Sequence, residues 1–350
     1  MECYAIKGKY LRAAYIEAPF KAYFTDTEEP GIRHGDEVKI QVKCTGICGS
    51  EVSAYRGTHP YRIPPLVSGH EFSGVITELG SDVRGWKKGD RVVAEPQYGC
   101  GKCRNCLEGK YNICRDKHVM GASCWSGSFG EFVVVPQRTL VRLPDTVSFE
   151  YGALAEPLAV AMHAVRLSGC APSQTVLVLG SGTIGMSTVL VSQLLGARAI
   201  LAARRDFYLR QALKMGCSFV INDQDSDLEK EVMNITDGRG ADITFVCAAD
   251  DKMVEKAVRC TKYGGAVSII AIMKDGGSFP YSSVFTKELT VMEPNMYVHR
   301  DFEDIIAAID DGEIDPGYMI SRILPVEEFA QAIDFCDRKP EPSIKTIMMF

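Results

Sequence analysis

Residues 175–185 read T-V-L-V-L-G-S-G-T-I-G, an apolar run followed directly by glycines in the spacing G-x-G-x-x-G. The run Thr175–Leu179 predicts a short buried strand, and helix-like apolar spacing continues to Leu195. A glycine-rich turn between a strand and a helix lets a pyrophosphate approach the first helical amides, so a dinucleotide-binding loop is expected. A glycine-rich turn without a ligand is the alternative. The loop residues are Gly180, Ser181, Gly182, Thr183, Ile184 and Gly185.

Apolar runs alternate with helix-like segments beyond this loop. Further strands are predicted at Ala199–Ala203, Val220–Ile221, Ile243–Cys247 and Ala266–Met273. Strands that alternate with helices indicate an α/β fold, in which a doubly wound parallel sheet carries helices on both faces. Residues 1–150 instead contain short β-type runs broken by glycine and proline, which predict a β-rich domain.

Length and composition limit the classes of function. A chain of 350 residues is long for one core, so two domains are expected. The net charge of −6 offers no basic surface for nucleic acid. No apolar run reaches the roughly 18 residues of a membrane span, and the N-terminus lacks the apolar segment of a signal peptide. We therefore expect a cytoplasmic protein whose thiols stay reduced.

Four cysteines are spaced C-x2-C-x2-C-x7-C, which is typical of a zinc site closed by sulfur ligands. With four thiolates no position remains for water or substrate, so this zinc is expected to be structural. An iron–sulfur cluster is the competing interpretation, but it favours a shorter last gap followed by proline. The four ligands are Cys100, Cys103, Cys106 and Cys114.

The chain has thirteen cysteines, and most of the others are interpreted as packing residues. They are Cys3, Cys44, Cys124, Cys170, Cys217, Cys247, Cys260 and Cys336.

A second metal site is expected to be open. Cys48 lies in C-T-G-I-C-G-S-E, and His70 with Glu71 lies in G-H-E-F-S-G, so glycines flank each candidate ligand. Thiolate, imidazole and carboxylate are good zinc ligands, and three of them leave one position free for exchange, as catalysis requires. Glu156, in A-L-A-E-P-L-A, is a fourth candidate that either ligates the metal or holds its water.

Residues 69–83 contain G-H-E-x2-G-x5-G-x2-V, which matches the zinc signature of the medium-chain zinc-dependent alcohol dehydrogenase family. The cysteine spacing and the position of the glycine loop also resemble that family, over essentially the whole chain. The run C-G-S-E from Cys48, the pair His70-Glu71 and Glu156-Pro157-Leu158 are similar to the sorbitol-dehydrogenase-like branch of polyol and threonine dehydrogenases.

The resemblance implies an architecture. Residues 1–160 are expected to form a GroES-like, partly open β-barrel catalytic domain with the structural zinc lobe. Residues 161–295 are expected to form the Rossmann cofactor domain, and residues 296–350 to return to the catalytic domain. It also implies two zinc ions per chain and a homo-oligomer, either a dimer or a tetramer.

The resemblance also implies roles for single residues. Cys48, His70 and Glu71 would bind the catalytic zinc, and Glu156 would position the metal-bound water or join the ligands. Ser50 matches the hydroxyl of a proton relay. Glu51 matches an aspartate that orients the histidine ligand.

One position departs from the pattern of many alcohol dehydrogenases. They carry a relay histidine five residues after the cysteine ligand, where this sequence has Ser53. His59 is the nearest histidine in sequence, and it is either a relay residue or a surface histidine.

The cofactor is expected to be NADP(H) rather than NAD(H). An acid usually ends the second strand of an NAD-binding domain, but here Ala203 holds that position and Arg204 and Arg205 follow. Arginines bind a 2′-phosphate in bidentate fashion. The alternatives are that both arginines are solvated surface charges, or that Asp206 takes the acidic role with NAD(H).

The expected reaction is hydride transfer between a secondary alcohol, such as a polyol, cyclitol or sugar alcohol, and its ketone. A threonine-type amino alcohol with NAD(H) remains an alternative substrate. Two further alternatives are a zinc-free quinone reductase and a non-catalytic nucleotide-binding protein.

Overall fold

The computed structural model describes residues 10–122, 125–273 and 277–350. The chain divides into two compact units. The first holds the described residues up to Glu156 together with Arg322–Pro340 and Lys345–Phe350. The second holds Pro157–Ser321 and Glu341–Ile344.

The strands of the described residues are β1 (Tyr10–Ala18), β2 (Lys21–Glu28), β3 (Glu37–Gly46), β4 (Glu71–Leu79), β5 (Arg91–Ala94), β6 (Gln97–Tyr98), β7 (His118–Val119), β8 (Phe132–Pro136), β9 (Leu140–Arg142), β10 (Thr175–Leu179), β11 (Arg198–Ala203), β12 (Phe219–Asn222), β13 (Ala241–Val246), β14 (Thr261–Ile269), β15 (Thr290–Met292), β16 (Ile320–Pro325) and β17 (Lys345–Met349). The helices are α1 (Gly49–Tyr55), α2 (Arg104–Leu107), α3 (Phe149–Ala153), α4 (Ala155–Leu167), α5 (Thr183–Leu194), α6 (Asp206–Lys214), α7 (Leu228–Ile235), α8 (Asp251–Cys260), α9 (Tyr281–Lys287), α10 (His299–Asp310) and α11 (Phe329–Arg338). No helix among the described residues combines the length and apolar character that crossing a membrane requires.

The first unit is built on a sheet in the order β16-β17-β3-β4-β5-β9, with β8 also paired to β3. Val38, Ile40 and Val42 alternate along β3 and are fully buried in one core, as the two-residue period of a strand requires. The β-rich prediction for this part of the chain is confirmed. The sheet brings the end of β3 beside the start of β4, because Gly46 pairs with Glu71.

The second unit is built on a parallel sheet in the order β12-β11-β10-β13-β14-β15. Numbered within the unit, this is 3-2-1-4-5-6, the strand order of the doubly wound dinucleotide-binding fold. The strand order reverses at β10, and ligands bind such sheets at the carboxyl ends of the strands at that point. Residues 180–185 follow β10 directly, so the predicted loop lies at the predicted place.

The unit boundaries differ from those expected. The first falls after Glu156 rather than after residue 160. Residues 296–321, expected in the catalytic domain, belong to the second unit. The reason is polar contact between α10 and α4, where Asp301 bonds to His163 and Arg166 at 3.0 and 2.9 Å.

The cysteines interpreted as packing residues are buried or half-buried free thiols where the structure describes them. Burial raises the pKa of the Cys44, Cys247 and Cys260 thiols to about 12, which keeps them protonated and unreactive. Cys3 and Cys124 lie outside the described residues.

Candidate active site and metal centres

Cys48 lies just beyond the end of β3, where it is the N-cap residue of α1. Its backbone N–H donates to Glu51 Oε2 at 3.1 Å, so the short helix starts at the cysteine and returns Glu51 toward it. A side chain on Gly46 would collide with the Glu71 carboxylate, which explains why glycine stands two residues before the cysteine. These local features bring the two sequence motifs together at one end of the sheet.

His70 is held from behind by Glu51. Its Nδ1 atom lies 3.0 Å from Glu51 Oε1, and Ser68 Oγ donates to the same oxygen at 2.9 Å. A carboxylate at Nδ1 fixes the tautomer in which the other ring nitrogen is free to bind a metal. The orienting contact expected for Glu51 is therefore present despite its extra methylene.

Glu51 is fully buried and charged. Burial alone would raise its pKa, but the His70 ring, Arg62 and Ser68 hold the pKa of this carboxyl well below its usual range. Burial alone would likewise lower the pKa of His70, whereas the Glu51 carboxylate raises it. The Glu51 carboxylate and the His70 ring therefore attract each other inside the fold.

The predicted ligands of the open site fall into two overlapping groups. The ligand atoms of His70, Glu71 and Glu156 lie within 4.8 Å of one another, and so do those of Cys48, Glu51 and His70. His70 is common to both, but the four predicted ligands do not form one group within that limit. A thiol, an imidazole and two carboxylates form a donor set that fits zinc.

Lys345 is a site residue that the sequence analysis missed. Its Nζ atom donates to both oxygens of Glu71 at 2.7 and 2.6 Å and to the Ile47 carbonyl at 3.1 Å. Both side chains are only 1% exposed. Burial alone would lower the pKa of Lys345, but Glu71, Cys48 and Glu156 raise it. One sequence feature could have revealed this residue. A single lysine stands in the apolar run that forms β17, and a buried charge needs a partner of opposite charge.

Three residues bear on the proton route. Ser50 Oγ lies 3.5 Å from Glu51 Oε2, and Ser53 Oγ donates to the Gly49 carbonyl at 3.0 Å. His59 is buried, and its Nδ1 atom accepts the backbone N–H groups of Arg62 and Tyr61 at 3.0 and 3.3 Å. Burial, with the charge of Arg62, lowers the pKa of His59 to about 4. A neutral ring with its acceptor nitrogen occupied is poorly suited to shuttle protons.

The cysteine lobe forms a compact sulfur cluster. Sγ atoms are separated by 3.5 Å between Cys103 and Cys106, 3.8 Å between Cys103 and Cys114, and 4.0 Å between Cys100 and Cys106. Four thiolates at about 2.3 Å from one tetrahedral ion would lie roughly 3.8 Å apart. A Cβ on Gly99 would lie 2.6 Å from Cys106 Sγ, so this backbone position must be glycine. The lobe fits a structural zinc ion.

The three glycines of the loop have backbone geometries that suit a dinucleotide-binding turn. Gly180 has a φ of +107°, which favours glycine, and nothing lies within 4 Å of a Cβ placed on Gly182. A Cβ on Gly185 would collide with the Gly180 carbonyl, so only glycine lets helix and strand approach this closely. The open space at Gly182, the N-cap of α5, leaves room for a pyrophosphate.

The end of β11 carries two unpaired arginines. Ala203 is buried, whereas Arg204 and Arg205 are exposed, and their side chains make no hydrogen bond or ion pair within the described residues. Asp206 opens α6, and its Oδ1 atom lies 3.4 Å from Asn222 Nδ2. The free cations therefore stand where a second strand meets the cofactor ribose in this fold.

Comparison with known families agrees with both units. Residues 34–145 match the alcohol dehydrogenase GroES-like domain, and residues 183–311 match the zinc-binding dehydrogenase domain. The chain is 35% identical to L-idonate 5-dehydrogenase of Vitis vinifera, over 73% of this chain and 72% of that protein. It is 31% identical to sorbitol dehydrogenase 1 of Saccharomyces cerevisiae, over 91% and 92% of the two chains.

Two solved structures with bound cofactor resemble the fold closely. A zinc-binding dehydrogenase of Sinorhizobium meliloti bound to NADP has a TM-score of 0.88 and 28% identity, covering 98% of this chain and 100% of that one. An alcohol dehydrogenase of Escherichia coli CFT073 complexed with NADH has a TM-score of 0.90 and 28% identity, covering 98% and 100%. The protein is a zinc-type alcohol oxidoreductase with a nicotinamide cofactor. It belongs to the medium-chain zinc-dependent alcohol dehydrogenase family, in its polyol-dehydrogenase-like branch.

Proposed function

We propose that this enzyme interconverts a secondary alcohol of a polyol, cyclitol or sugar alcohol and the corresponding ketone, using NADP(H). The observation that carries the proposal is the donor set around His70, in which the half-buried Cys48 thiol and the buried Glu71 and Glu156 carboxylates lie near one oriented imidazole. The names of the relatives, an idonate and a sorbitol dehydrogenase, support polyhydroxylated substrates over amino alcohols.

Each residue of the open site would have a separate role in the reaction. Cys48, His70, Glu71 and Glu156 would hold a zinc ion, which when bound polarises the substrate oxygen and stabilises negative charge on it. Glu51 keeps the imidazole oriented. In the oxidation, Ser50 would pass the hydroxyl proton outward, and a nicotinamide held at the glycine loop would supply the hydride acceptor, so that the products would be a ketone, a reduced cofactor and a proton. Reduction of the ketone reverses these transfers.

Metal analysis of matched cysteine variants tests this proposal. We expect two zinc ions per chain in the wild type. Cys48→Ala should lose one ion and turnover but remain folded, whereas Cys103→Ala should lose the other ion and mainly lower the unfolding temperature. A wild type with zinc only in the cysteine lobe, or Cys48→Ala with normal turnover, would contradict the proposal.

The preference for NADP(H) rests on Ala203 and on the exposed, unpaired Arg204 and Arg205. Charge-assisted hydrogen bonds to a phosphate contribute about 1.5–3 kcal/mol, or roughly 10- to 100-fold in affinity. Replacing both arginines by alanine should lower kcat/KM with NADP+ by about that factor and leave NAD+ nearly unaffected. Ala203→Asp should weaken the binding of NADP+, because the new carboxylate would repel the 2′-phosphate. A wild type that prefers NAD(H) would overturn this choice.

The substrate is best identified with a panel of polyols, cyclitols, sugar phosphates and amino alcohols, each assayed with both cofactors. We expect that the compound of the panel with the highest kcat/KM is a polyol, cyclitol or sugar alcohol. Preferential oxidation of threonine with NAD+ would favour the amino-alcohol alternative, and cofactor binding without turnover would favour a non-catalytic protein.

We also propose that the enzyme self-associates and works in a reducing compartment such as the cytoplasm. Tyr281 and Phe285 on α9 are 76% and 87% exposed, an uncommon position for large apolar side chains. The cysteines of the described residues are all free thiols, as a reducing compartment requires.

A further inference from the structure

Arg62 is a buried arginine beside the open metal site. Its side chain is 4% exposed, and Nη1 donates to the carbonyls of Met120 and Gly121 at 2.8 and 2.9 Å. The same atom lies 3.8 Å from Glu51 Oε1. Burying a guanidinium is costly unless its charge is compensated, so this placement calls for a physical reason.

The surrounding loop is shaped to hold the guanidinium. The backbone N–H of Arg62 donates to His59 Nδ1, and a Cβ on Gly121 would lie only 2.5 Å from Arg62 Nη1. Because His59 is buried and neutral, it does not repel the arginine. Arg62 Nε is buried without a hydrogen-bond partner among the described residues, so hydrogen bonding alone does not account for the residue.

The charge of Arg62 acts on the oxygen that orients the metal ligand. Glu51 Oε1 accepts from Ser68 Oγ and lies 3.0 Å from His70 Nδ1, while Oε2 accepts from the Cys48 backbone N–H. Arg62 thus contacts the one carboxylate that joins the histidine, the serine and the start of α1. Arg62 is the one arginine or lysine that lies within 4 Å of a Glu51 carboxylate oxygen among the ion pairs of the described residues.

We propose that Arg62 is a positioning residue for His70: its contact with Glu51 Oε1 holds this carboxylate in line with the ring. The proposal rests on the proposed function, because it takes His70 as a ligand of the catalytic zinc. Partners behind a histidine ligand typically change metal affinity by about 10- to 100-fold, and Arg62 stands one contact further from the metal. Replacing Arg62 should therefore change how tightly the site holds its metal, although Arg62 itself does not contact the substrate.

Arg91 provides a matched control. It also donates to backbone carbonyls of the first unit, with Nη1 at 3.0 Å from the Pro144 oxygen and Nη2 at 2.6 Å from the Val147 oxygen. Its ion pair is with Asp145, whose side chain is exposed, and not with a residue of the metal site. Arg91→Met therefore removes an equivalent backbone anchor and leaves Glu51 and His70 in place.

The experiment compares the wild type, Arg62→Met, Arg62→Lys and Arg91→Met as full-length enzymes. Zinc release to a chelator and the visible spectrum of the cobalt-substituted proteins report the metal site, and thermal unfolding reports the fold. Arg62→Met should release the catalytic zinc about 10-fold faster and shift the cobalt spectrum. Arg62→Lys, which keeps the charge, should stay within about 2-fold of the wild type. Arg91→Met should lower the unfolding temperature without changing the spectrum or the release rate.

The inference would be overturned if Arg62→Met released zinc at the wild-type rate and kept the wild-type cobalt spectrum. It would also be overturned if Arg91→Met changed the release rate and the spectrum as much as Arg62→Met does, or if Arg62→Lys changed them as much. If Arg62→Met does not fold, Arg62→Gln removes the same charge while keeping a donor for the Met120 carbonyl, with the same expected faster release. If the wild type binds two zinc ions and the Arg62 variants keep the wild-type release rate and spectrum, only this inference is contradicted. A wild type with zinc only in the lobe would contradict the proposed function as well.

Discussion

At the residue scale, the Lys345–Glu71 pair illustrates how a buried charge depends on its partner. Each side chain is 1% exposed, so neither ion can be solvated if the other is removed. Breaking a buried ion pair costs more than replacing it, because the remaining charge is left uncompensated. The pair also holds a candidate zinc ligand against the C-terminal strand.

We predict that Lys345→Met lowers the free energy of unfolding by about 3–5 kcal/mol. The double variant Lys345→Met with Glu71→Gln should recover part of this loss, because it removes both charges. Chemical denaturation of the metal-free proteins measures both values and gives the coupling between the residues. If the single Lys345→Met variant is as stable as the wild type, the pair does not stabilise the fold.

At the element scale, the third residue of α10, Asp301, caps this helix and connects it to α4. Asp301 is 2% exposed, accepts the Val298 backbone N–H at 3.0 Å, and bonds to His163 and Arg166 of α4. Burial alone would raise the pKa of Asp301, but the hydrogen bonds of His163, Val298 and Arg166 lower it. One carboxylate thus both caps a helix and joins it to a second helix.

A lowered pKa means that ionised Asp301 stabilises the folded state above its unfolded pKa of about 3.9, and that this stabilisation is lost as the pH falls through the lower folded value. Asp301→Asn should therefore cost about 1.5–3 kcal/mol near neutral pH and progressively less in acid. Urea denaturation at a series of pH values measures the difference.

The matched control is Asp304→Asn, since Asp304 also contacts Arg166 but its side chain is 36% exposed. It should change stability by less than about 1 kcal/mol. An Asp301→Asn penalty that does not depend on pH would refute the electrostatic explanation.

At the scale of the whole molecule, each unit has its own buried core and the sheet of the second unit ends at β15. Within the described residues β15 pairs only with β14, so its outer edge offers unpaired backbone groups. The exposed Phe285 lies on α9, five residues before this strand. An open edge near large apolar side chains favours association of two copies.

We predict a native mass of at least twice the 38.4 kDa of one chain. Phe285→Glu should shift the enzyme toward the monomer, because a carboxylate is costly to bury in an apolar contact. Leu167→Glu, at a 53% exposed position on α4, is the control and should leave the mass unchanged. Light scattering during size-exclusion chromatography measures the mass, and a wild type that is monomeric at micromolar concentration would contradict the prediction.

Local patterns were sufficient for much of the fold. The run Thr175–Leu179 coincides with β10, and the strand predicted at Ala199–Ala203 differs from β11 by one residue. The strand predicted at Ala266–Met273 is Thr261–Ile269, shifted because glycines at 264 and 265 hid its start. The short β15 was missed, since a strand of three residues has too few positions to show a period.

The sequence by itself determined the chemistry of this protein. Ligand spacing, a glycine loop after an apolar strand, and cysteines too close to belong to separate sites are local patterns, and each needs only neighbouring residues. The tertiary structure alone decided the pairing of distant charges. Lys345 contacts Glu71 across 274 positions, and Asp301 contacts His163 across 138. Such pairs leave no local period, because burial and charge balance are properties of the folded chain.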